Sequence, residues 1–457
     1  VTTPTPIWDQ ALIAKYNLTG PRYTSYPTAL EFKEGFAADD LVKAIARSER
    51  SSLSLYVHIP FCHKLCYYCG CNKVITRHPH KADIYLDFLE REMATRGPQF
   101  QHYEVKQLHL GGGTPTFLSA EQMSRLMAML RRHFVFSPSI EQGIEVDPRE
   151  IPLSMMSHLA AEGFNRISIG VQDFNPVVQQ AVNREQDNEF IHALVAEART
   201  QGMSSVNLDL IYGLPHQTAS SFAKTLEQTL AMDPDRLSVF NYAHLPERFA
   251  AQRKIDETAM PEAAEKMAMF RQSIEYLTAQ GYQFIGMDHF AKPDDELAKL
   301  QRSGALHRNF QGYTTHGECD LLGLGVSSIS QIGDCYVQNQ RELKHYYQQL
   351  DERGDALHKG VSLHRDDLIR RDVIKALICN FELNFVDIEA RWDIAFTEYF
   401  STALTALMPL ADDGLLAISE QKMVVKPPGR LLIRSICMCF DAYMQQQLRQ
   451  RQFSRII

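Results

Sequence analysis

Between about residues 53 and 290 the chain alternates short apolar runs with longer stretches of helical period. The strand candidates are SLSLYVHIP (52–60), VKQLHLGGG (105–113), GIEVDP (143–148), RISIGVQ (166–172), SVNLDLIYGLP (205–215), RLSVFNYAHLP (236–246) and FIGMDHF (284–290). Most are rich in Val, Ile and Leu with little strict alternation, the pattern of strands covered on both faces. Helical period runs through KADIYLDFLEREMA (81–94), SAEQMSRLMAMLRRHF (119–134) and EAAEKMAMFRQSIEYLTAQ (262–280), and Ser119 with Gln122 predicts a capping box. Such β-α alternation predicts a parallel sheet with right-handed crossovers. Six units make a partial or complete barrel or an open doubly wound sheet, and periodicity alone does not choose. Both architectures place active sites at the C-terminal strand ends. There the polar and glycine-containing residues cluster: Cys62 to Cys71, Gly111 to Thr116, Glu145 to Pro148, Gln172, and Tyr212 to Pro215.

Beyond about residue 360 the pattern changes. DLIRRDVIKALICNF (367–381) and PGRLLIRSICMCFDAYMQQQLRQ (428–450) read as helices, with a short hairpin expected at LLAISEQKMVVKP (415–427). A small, mostly helical C-terminal domain at 361–457 follows. Composition adds few constraints: 457 residues with 45% hydrophobic and 22% charged are ordinary globular material. No run of eighteen apolar residues predicts a membrane span, and VTTPTPIWDQ has no signal-peptide pattern, so a cytoplasmic enzyme is expected. The net charge of −8 argues against general nucleic-acid binding, though a locally basic pocket for an anionic small molecule stays compatible with it.

Cysteine placement changes the picture more. Of nine cysteines, four fall within Cys62–Cys71, too local and too few for a disulfide scaffold. In a reducing compartment this suggests metal or redox chemistry, with buried structural thiols as the alternative. Zinc would take all four of Cys62, Cys66, Cys69 and Cys71 in a closed site, although zinc pairs are usually further apart. The run Cys62-x3-Cys66-x2-Cys69, with an aromatic before the third cysteine, resembles the radical S-adenosylmethionine (SAM) superfamily. By that resemblance Cys62, Cys66 and Cys69 ligate three irons of a 4Fe-4S cluster, and the fourth iron stays open for SAM; Cys71 is left over. Gly111-Gly-Gly-Thr-Pro115 directly follows a strand, as a backbone-donor loop near a ligand does, or as a tight turn does. Glu145, Asp147, Gln172, Arg184 and Asp209 sit at or near strand ends. Arg184 is suited to a carboxylate and the acids to ribose hydroxyls, and each alone is equally a surface or capping residue.

At finer grain the chain is similar to the oxygen-independent coproporphyrinogen III oxidase (dehydrogenase) family along nearly its whole length. The stretches that carry this include PRYTSYPTALEF (21–32), SLYVHIPFCHKLCYYCGCN (54–72), GGGTPT (111–116), IEVDPRE (144–150), VNREQ (182–186), NLDLIYGLPHQT (207–218), HRNFQGYTT (307–315) and GRLLIRSICMCFD (429–441). With this resemblance the expected fold is α/β, a partial (β/α)6-type TIM-like barrel of parallel strands at 36–360 plus the helical C-terminal domain. The resemblance implies that two propionates of coproporphyrinogen III are decarboxylated to vinyls through 5′-deoxyadenosyl radicals, giving protoporphyrinogen IX. It implies two bound SAM molecules, contacted by Tyr56, Tyr68, Gly112, Gly113, Thr114, Glu145, Gln172, Arg184, Asp209, Ala243 and Ile329. Position 68 is usually Phe in the family, and an aromatic often stands where Leu110 is. An unidentified electron donor and acceptor are implied as partners; a monomer is expected, with no nucleic acid and no membrane.

A tetra-anionic substrate needs donors, and Arg22, Arg302, Arg308 and Lys73 are the candidates. Arg22 lies in the 1–35 segment, expected to cover the substrate, where Tyr23 and Tyr26 are placed to flank a tetrapyrrole. His58 reads as a core histidine or a ligand contact; His109, His289 and His307 have no assigned role. The rivals are a haem chaperone of the same superfamily, which generally lacks PRYTSYPT and Cys71, and a non-catalytic zinc protein, which leaves GGGTP, EVDP and VNREQ unexplained.

Overall fold

A computed structural model describes residues 4–444. The chain divides into two compact units, one of Phe32–Met269 and Glu318–Ser362, the other of Val1–Glu31, Phe270–Gly317 and Leu363–Ile457.

In the first unit six strands run parallel in chain order: β1 Ser52–Ile59, β2 Glu104–Gly112, β3 Val135–Val146, β4 Arg166–Gln172, β5 Ser205–Tyr212 and β6 Arg236–Asn241. Helices connect them, including α1 His80–Arg96, α2 Ala120–His133, α3 Ser154–Ala161, α4 Asn188–Thr200 and α5 Ala219–Leu230. The strand order never reverses, which is barrel winding; a doubly wound sheet reverses at a switch point. The ring stays open because the outer edge of β1 pairs in parallel with β7 Asp320–Leu324. Antiparallel strands β8 Ile329–Ile332, β9 Cys335–Asn339 and β10 Leu357–Ser362 extend the sheet from there. A partial barrel of (β/α)6 type is therefore the architecture. The antiparallel extension is absent from the sequence reading, because the strands in 318–362 are short and only one helix, Leu343–Arg353, separates any two of them.

Alternation along the strands is stronger than their aliphatic content suggests. Leu53, Leu55, Val57 and Ile59 bury one face of β1, with Ile167, Ile169 and Val171 doing so in β4. The opposite face carries polar groups joined across strands: Ser54 donates to Gln107 at 2.8 Å, and Gln107 to Glu141 at 2.8 Å. Burial of the apolar face contributes about 1.5–3 kcal/mol per large side chain. The polar face has to satisfy its groups internally or with a ligand. Caps behave as expected where the sequence marks them: Ser119 accepts from Gln122 N at 3.2 Å and Gln122 returns a bond to Ser119 N at 3.1 Å. In α1, buried Glu92 accepts from Tyr346, Asn339 and the Gly325 amide, while Tyr85 donates to the His58 carbonyl at 2.6 Å and accepts from Val326 N at 3.0 Å. This network fixes the turn between β7 and β8.

The second unit centres on helix Arg365–Asn380 and a three-stranded antiparallel sheet of Glu382–Asn384, Lys422–Val425 and Leu416–Ile418. The expected hairpin at 415–427 is its outer pair. FIGMDHF is two short antiparallel strands, Gln283–Gly286 and His289–Ala291, because Gly286 at φ 146° and Met287 at φ 58° turn the chain. The long helix expected at 428–450 is broken into Pro427–Leu431 and Ile433–Met438, and its 445–450 portion lies outside the described residues. The N-terminal segment joins this unit through its carbonyls and tyrosines. Arg434 donates to Pro21 O at 2.8 Å, Ser435 to Tyr16 O at 2.9 Å, and Tyr23 to Asp441 at 3.0 Å. No helix among the described residues is long and apolar enough to cross a membrane.

Candidate functional site

The cysteine loop starts where β1 stops at Pro60. It is held by the glycine loop after β2: Gly113 N donates to Ile59 O and Thr114 N to Phe61 O, both at 2.8 Å. Close backbone approach explains the glycines. A methyl on Gly113 would lie 2.6 Å from Pro60 O and 2.9 Å from Phe61 O, and one on Gly111 would lie 2.9 Å from Glu145 Oε1. Gly112 has φ 117° and donates to Glu145 Oε2 at 3.2 Å. Gly113→Ala is therefore expected to destabilise by about 1–3 kcal/mol through overpacking against backbone that cannot rotate away. A lowered thermal midpoint and poorer iron retention check it; an unchanged midpoint refutes the packing argument.

Cys62 and Cys66 are buried, Cys69 is half-buried and Cys71 is exposed. Two of the sulfurs receive donors: Thr114 Oγ1 reaches Cys62 Sγ at 3.3 Å, and Cys66 Sγ accepts from Arg149 Nη2 at 3.2 Å and Arg184 Nη1 at 3.3 Å. Such donors favour sulfur in its anionic, metal-bound form. Burial pushes the Cys62 thiol up to about 11 in the metal-free chain, against the pull of Thr114. The Cys69 thiol is pulled down by its hydrogen bond from Cys71, with Lys73 helping; Lys73 is itself tied to the Cys69 carbonyl at 2.9 Å.

Behind the sulfurs stands a buried charge cluster. Asp147 pairs with Arg149 at 2.6 Å and with Arg184 at 3.3 Å. Burial alone would raise the Asp147 carboxyl, but the guanidiniums of Arg184 and Arg149 hold it well below the usual range. Arg184 also donates to Gly170 O at 2.5 Å, yet its buried Nε has no hydrogen-bond partner among the described residues. Gln172 is in the same condition: its Oε1 is buried and unpaired, and its backbone is left-handed at φ 67°. A methyl on Gly170 would meet Gln172 Nε2 at 2.8 Å and Arg184 Nη2 at 3.0 Å, so the two side chains lie together. Orphaned buried polar atoms beside a left-handed glutamine are the mark of a site built for a ligand.

Of the other nominated residues, some lie on the strands and some in the loops that follow them. Tyr56 donates to His58 Nδ1 at 3.1 Å, while His58 Nε2 donates to Asn72 O at 3.0 Å; burial lowers its pKa and keeps it neutral. His58 is thus a satisfied core histidine. His109 lies 3.4 Å from Glu145. Asp209 accepts from Ser168 and Asn207 at 2.8 Å each, and burial raises its pKa. Gln252 donates to Tyr68 O at 2.9 Å and Ala243 O at 3.2 Å, linking those two positions. Tyr68 packs against the buried cluster of Val178, Val182, Ile211, Leu214, Tyr242 and Ile255. Ile329 opens β8, its backbone against Gly323, which pairs with Tyr56.

Arg22 and Tyr23 belong to the other unit. Arg22 pairs with buried Asp288. Tyr23 is 5% exposed, so its ring is packing rather than an open face. Arg302 is taken by Gln283 Oε1 and Pro293 O, both at 2.7 Å; Arg308 is buried over the Tyr313 ring at 5.1 Å. His289 lies 3.8 Å from Asp288, and His307 begins the short strand His307–Asn309. The sequence reading passed over Arg149 and Gln252. Arg149 was visible two residues after Asp147 in IEVDPRE; nothing local marks Gln252, which acts only through carbonyls brought to it by folding.

Two family models match the chain: the Radical SAM superfamily over residues 56–229 and the HemN C-terminal domain over residues 363–432. Curated relatives named oxygen-independent coproporphyrinogen III oxidase include one from Escherichia coli, 62% identical over 450 residues and 98% of each chain. Another, from Pseudomonas aeruginosa, is 52% identical over 455 residues, 98% of this chain and 99% of that one. Among solved structures, coproporphyrinogen III oxidase (HemN) from Escherichia coli, described as a radical SAM enzyme, superposes with a TM-score of 0.93 at 60% identity, covering 96% of this chain and 100% of that one. With the cysteine loop, the glycine cradle and the Asp147–Arg184 cluster joined by hydrogen bonds and ion pairs, these likenesses establish that the chain belongs to the oxygen-independent coproporphyrinogen III oxidases, within the radical SAM superfamily.

Proposed function

We propose that the protein converts coproporphyrinogen III to protoporphyrinogen IX without oxygen, with Cys62, Cys66 and Cys69 holding a 4Fe-4S cluster. The observation that carries this is the set of donors from Thr114, Arg149 and Arg184 onto Cys62 and Cys66, beside unpaired Arg184 Nε and Gln172 Oε1. Bound there, the cluster would supply the electron for reductive cleavage of SAM, the chemistry by which each of two propionates would lose a β-hydrogen atom, CO2 and one electron to leave a vinyl group.

The chain's own residues bind and orient. Arg184 turns its free Nε toward a ligand carboxylate, with Asp147 fixing the guanidinium plane. Glu145, held by the Gly112 amide, and Asp209, held by Ser168 and Asn207, accept from hydroxyl or ammonium groups. Tyr56, Tyr68, Gly113, Thr114, Ala243 and Ile329 complete the contacts for two SAM molecules. Arg22 meets a substrate carboxylate, and the 1–35 segment covers the substrate. The electron donor is a one-electron reductant of unassigned identity.

Anaerobic reconstitution with iron and sulfide, followed by SAM, a reductant and coproporphyrinogen III, is expected to yield protoporphyrinogen IX by chromatography. Cofactor cleavage without product, with tight haem binding, would instead indicate a haem-transfer protein. Deleting residues 1–35 is expected to abolish decarboxylation; full activity of the shortened chain would remove the covering role.

A further inference from the structure

The segment after β6 returns to the cysteine loop and meets it at three places. Phe249 precedes the short 3-10 helix Ala250–Lys254, and its ring lies against Gly70, where a methyl would come 3.0 Å from the ring tip. Lys254 Nζ stands 5.3 Å from the Tyr67 ring centroid. Between them Gln252, 2% exposed, donates from Nε2 to Tyr68 O at 2.9 Å and to Ala243 O at 3.2 Å. Its Oε1 accepts from Leu245 N at 2.6 Å.

A primary amide offers two donors and an acceptor on one plane. Glutamate keeps the acceptor and loses both donors; methionine keeps the length and loses all three. Both groups that accept from Gln252 are backbone carbonyls, so the link fixes the chain itself rather than a rotamer. Tyr68 lies in the turn between Cys66 and Cys69, where Cys69 N donates to Cys66 O at 3.3 Å, and Ala243 lies just beyond β6. The rings of Tyr67 and Tyr68 also pack against a cluster that includes Val178 and Val182. Such packing is non-directional and tolerates small shifts of the turn, whereas hydrogen bonds to its carbonyl fix its distance from the end of β6.

We propose that Gln252 is a positioning residue for the radical chemistry, setting the spacing between the turn that carries Cys66 and Cys69 and the backbone at Ala243. The inference rests on the function proposed above, in which the cysteines hold a cluster and Tyr68 and Ala243 contact SAM. Gln252 acts only through the carbonyls of those two positions. Radical transfer needs its reacting groups in near contact, and a displacement of about 1 Å can cost about 100-fold in rate. Removing the amide is therefore expected to lower kcat for vinyl formation about 10–100-fold, with little change in KM for coproporphyrinogen III.

The test compares full-length wild type, Gln252→Met and Gln252→Glu, each reconstituted anaerobically. Iron, sulfide and thermal midpoint report whether the loop and the fold survive. Two readouts besides turnover report position. One is the change that saturating SAM makes in the electron paramagnetic resonance spectrum of the reduced cluster; the other is hydrogen exchange across residues 62–72 of the metal-free chain. Both variants are expected to keep iron and sulfide, to show a different SAM-induced spectrum from wild type, and to exchange faster across the turn. Gln252→Glu retains the bond from Leu245 N and carries the comparison alone if Gln252→Met loses iron. Loss of iron from both variants would make Gln252 a brace for the cysteines and overturn the positioning role. Wild-type spectra and kcat in the variants at equal cluster content, or unchanged hydrogen exchange in the metal-free chain, overturn this proposal alone. A wild type that forms no 5′-deoxyadenosine overturns the functional reading and this proposal with it.

Discussion

Replacing Cys62, Cys66 or Cys69 with Ala is expected to abolish formation of both 5′-deoxyadenosine and protoporphyrinogen IX, whereas Cys71→Ala should retain activity. The reason lies in the count of ligands. A cluster held by three thiolates keeps one iron open for SAM, and loss of a first-sphere sulfur removes the centre itself. The effect should exceed the roughly 10–100-fold cost of changing an outer-shell partner in a metal site. Cys62 and Cys66 are buried and receive donors from Thr114, Arg149 and Arg184, while Cys71 is exposed. Iron and acid-labile sulfide, measured on each reconstituted variant beside activity, decide the point. Equal iron loss in Cys71→Ala and Cys69→Ala would move a ligand to position 71. Zinc in place of iron, with no sulfide, would end the cluster reading altogether.

Arg184→Met is expected to weaken SAM binding about 100-fold or more while leaving iron content largely intact. Truncating one member of a buried, hydrogen-bonded charge pair costs about 2–5 kcal/mol. Here Arg184 bridges three things at once: Asp147, the Cys66 sulfur and the Gly170 carbonyl, with Nε left over. Arg149 still neutralises Asp147 in the variant, so the fold should survive. Arg184→Lys keeps a charge but not the planar fork, and should recover only part of the affinity. Equilibrium binding of SAM to the reconstituted protein separates the outcomes. Unchanged affinity in Arg184→Met would mean that this guanidinium only braces Asp147 and the cysteine loop.

The nominated cysteine and glycine site residues were legible along the chain because each group lies close in sequence. Cys62, Cys66 and Cys69 share one loop, and Gly111–Thr114 follow one strand. The six parallel strands were legible for a similar reason: each apolar run carries enough Val, Ile and Leu to bury a face, and each is followed by a segment of helical period. What one-dimensional reading obscured was the second face. Ser54, Tyr56 and His58 alternate with Leu53, Leu55 and Val57, so the strand is apolar toward one side and polar toward the other. High aliphatic content made it look covered by apolar neighbours on both sides.

The sequence by itself therefore determined the β-α order, the capping of α2, the cysteine loop and the chemistry of its neighbours. These depend on interactions within a few residues or on a repeating period. Tertiary structure alone decided that β1 pairs with β7 so the barrel stays open, that Gln252 ties Tyr68 to Ala243, and that Tyr23 is packed against Asp441. It also decided which polar atoms were left unsatisfied, at Gln172 and Arg184. Those outcomes depend on partners tens to hundreds of residues away, and no local pattern specifies whether a buried donor will find its acceptor.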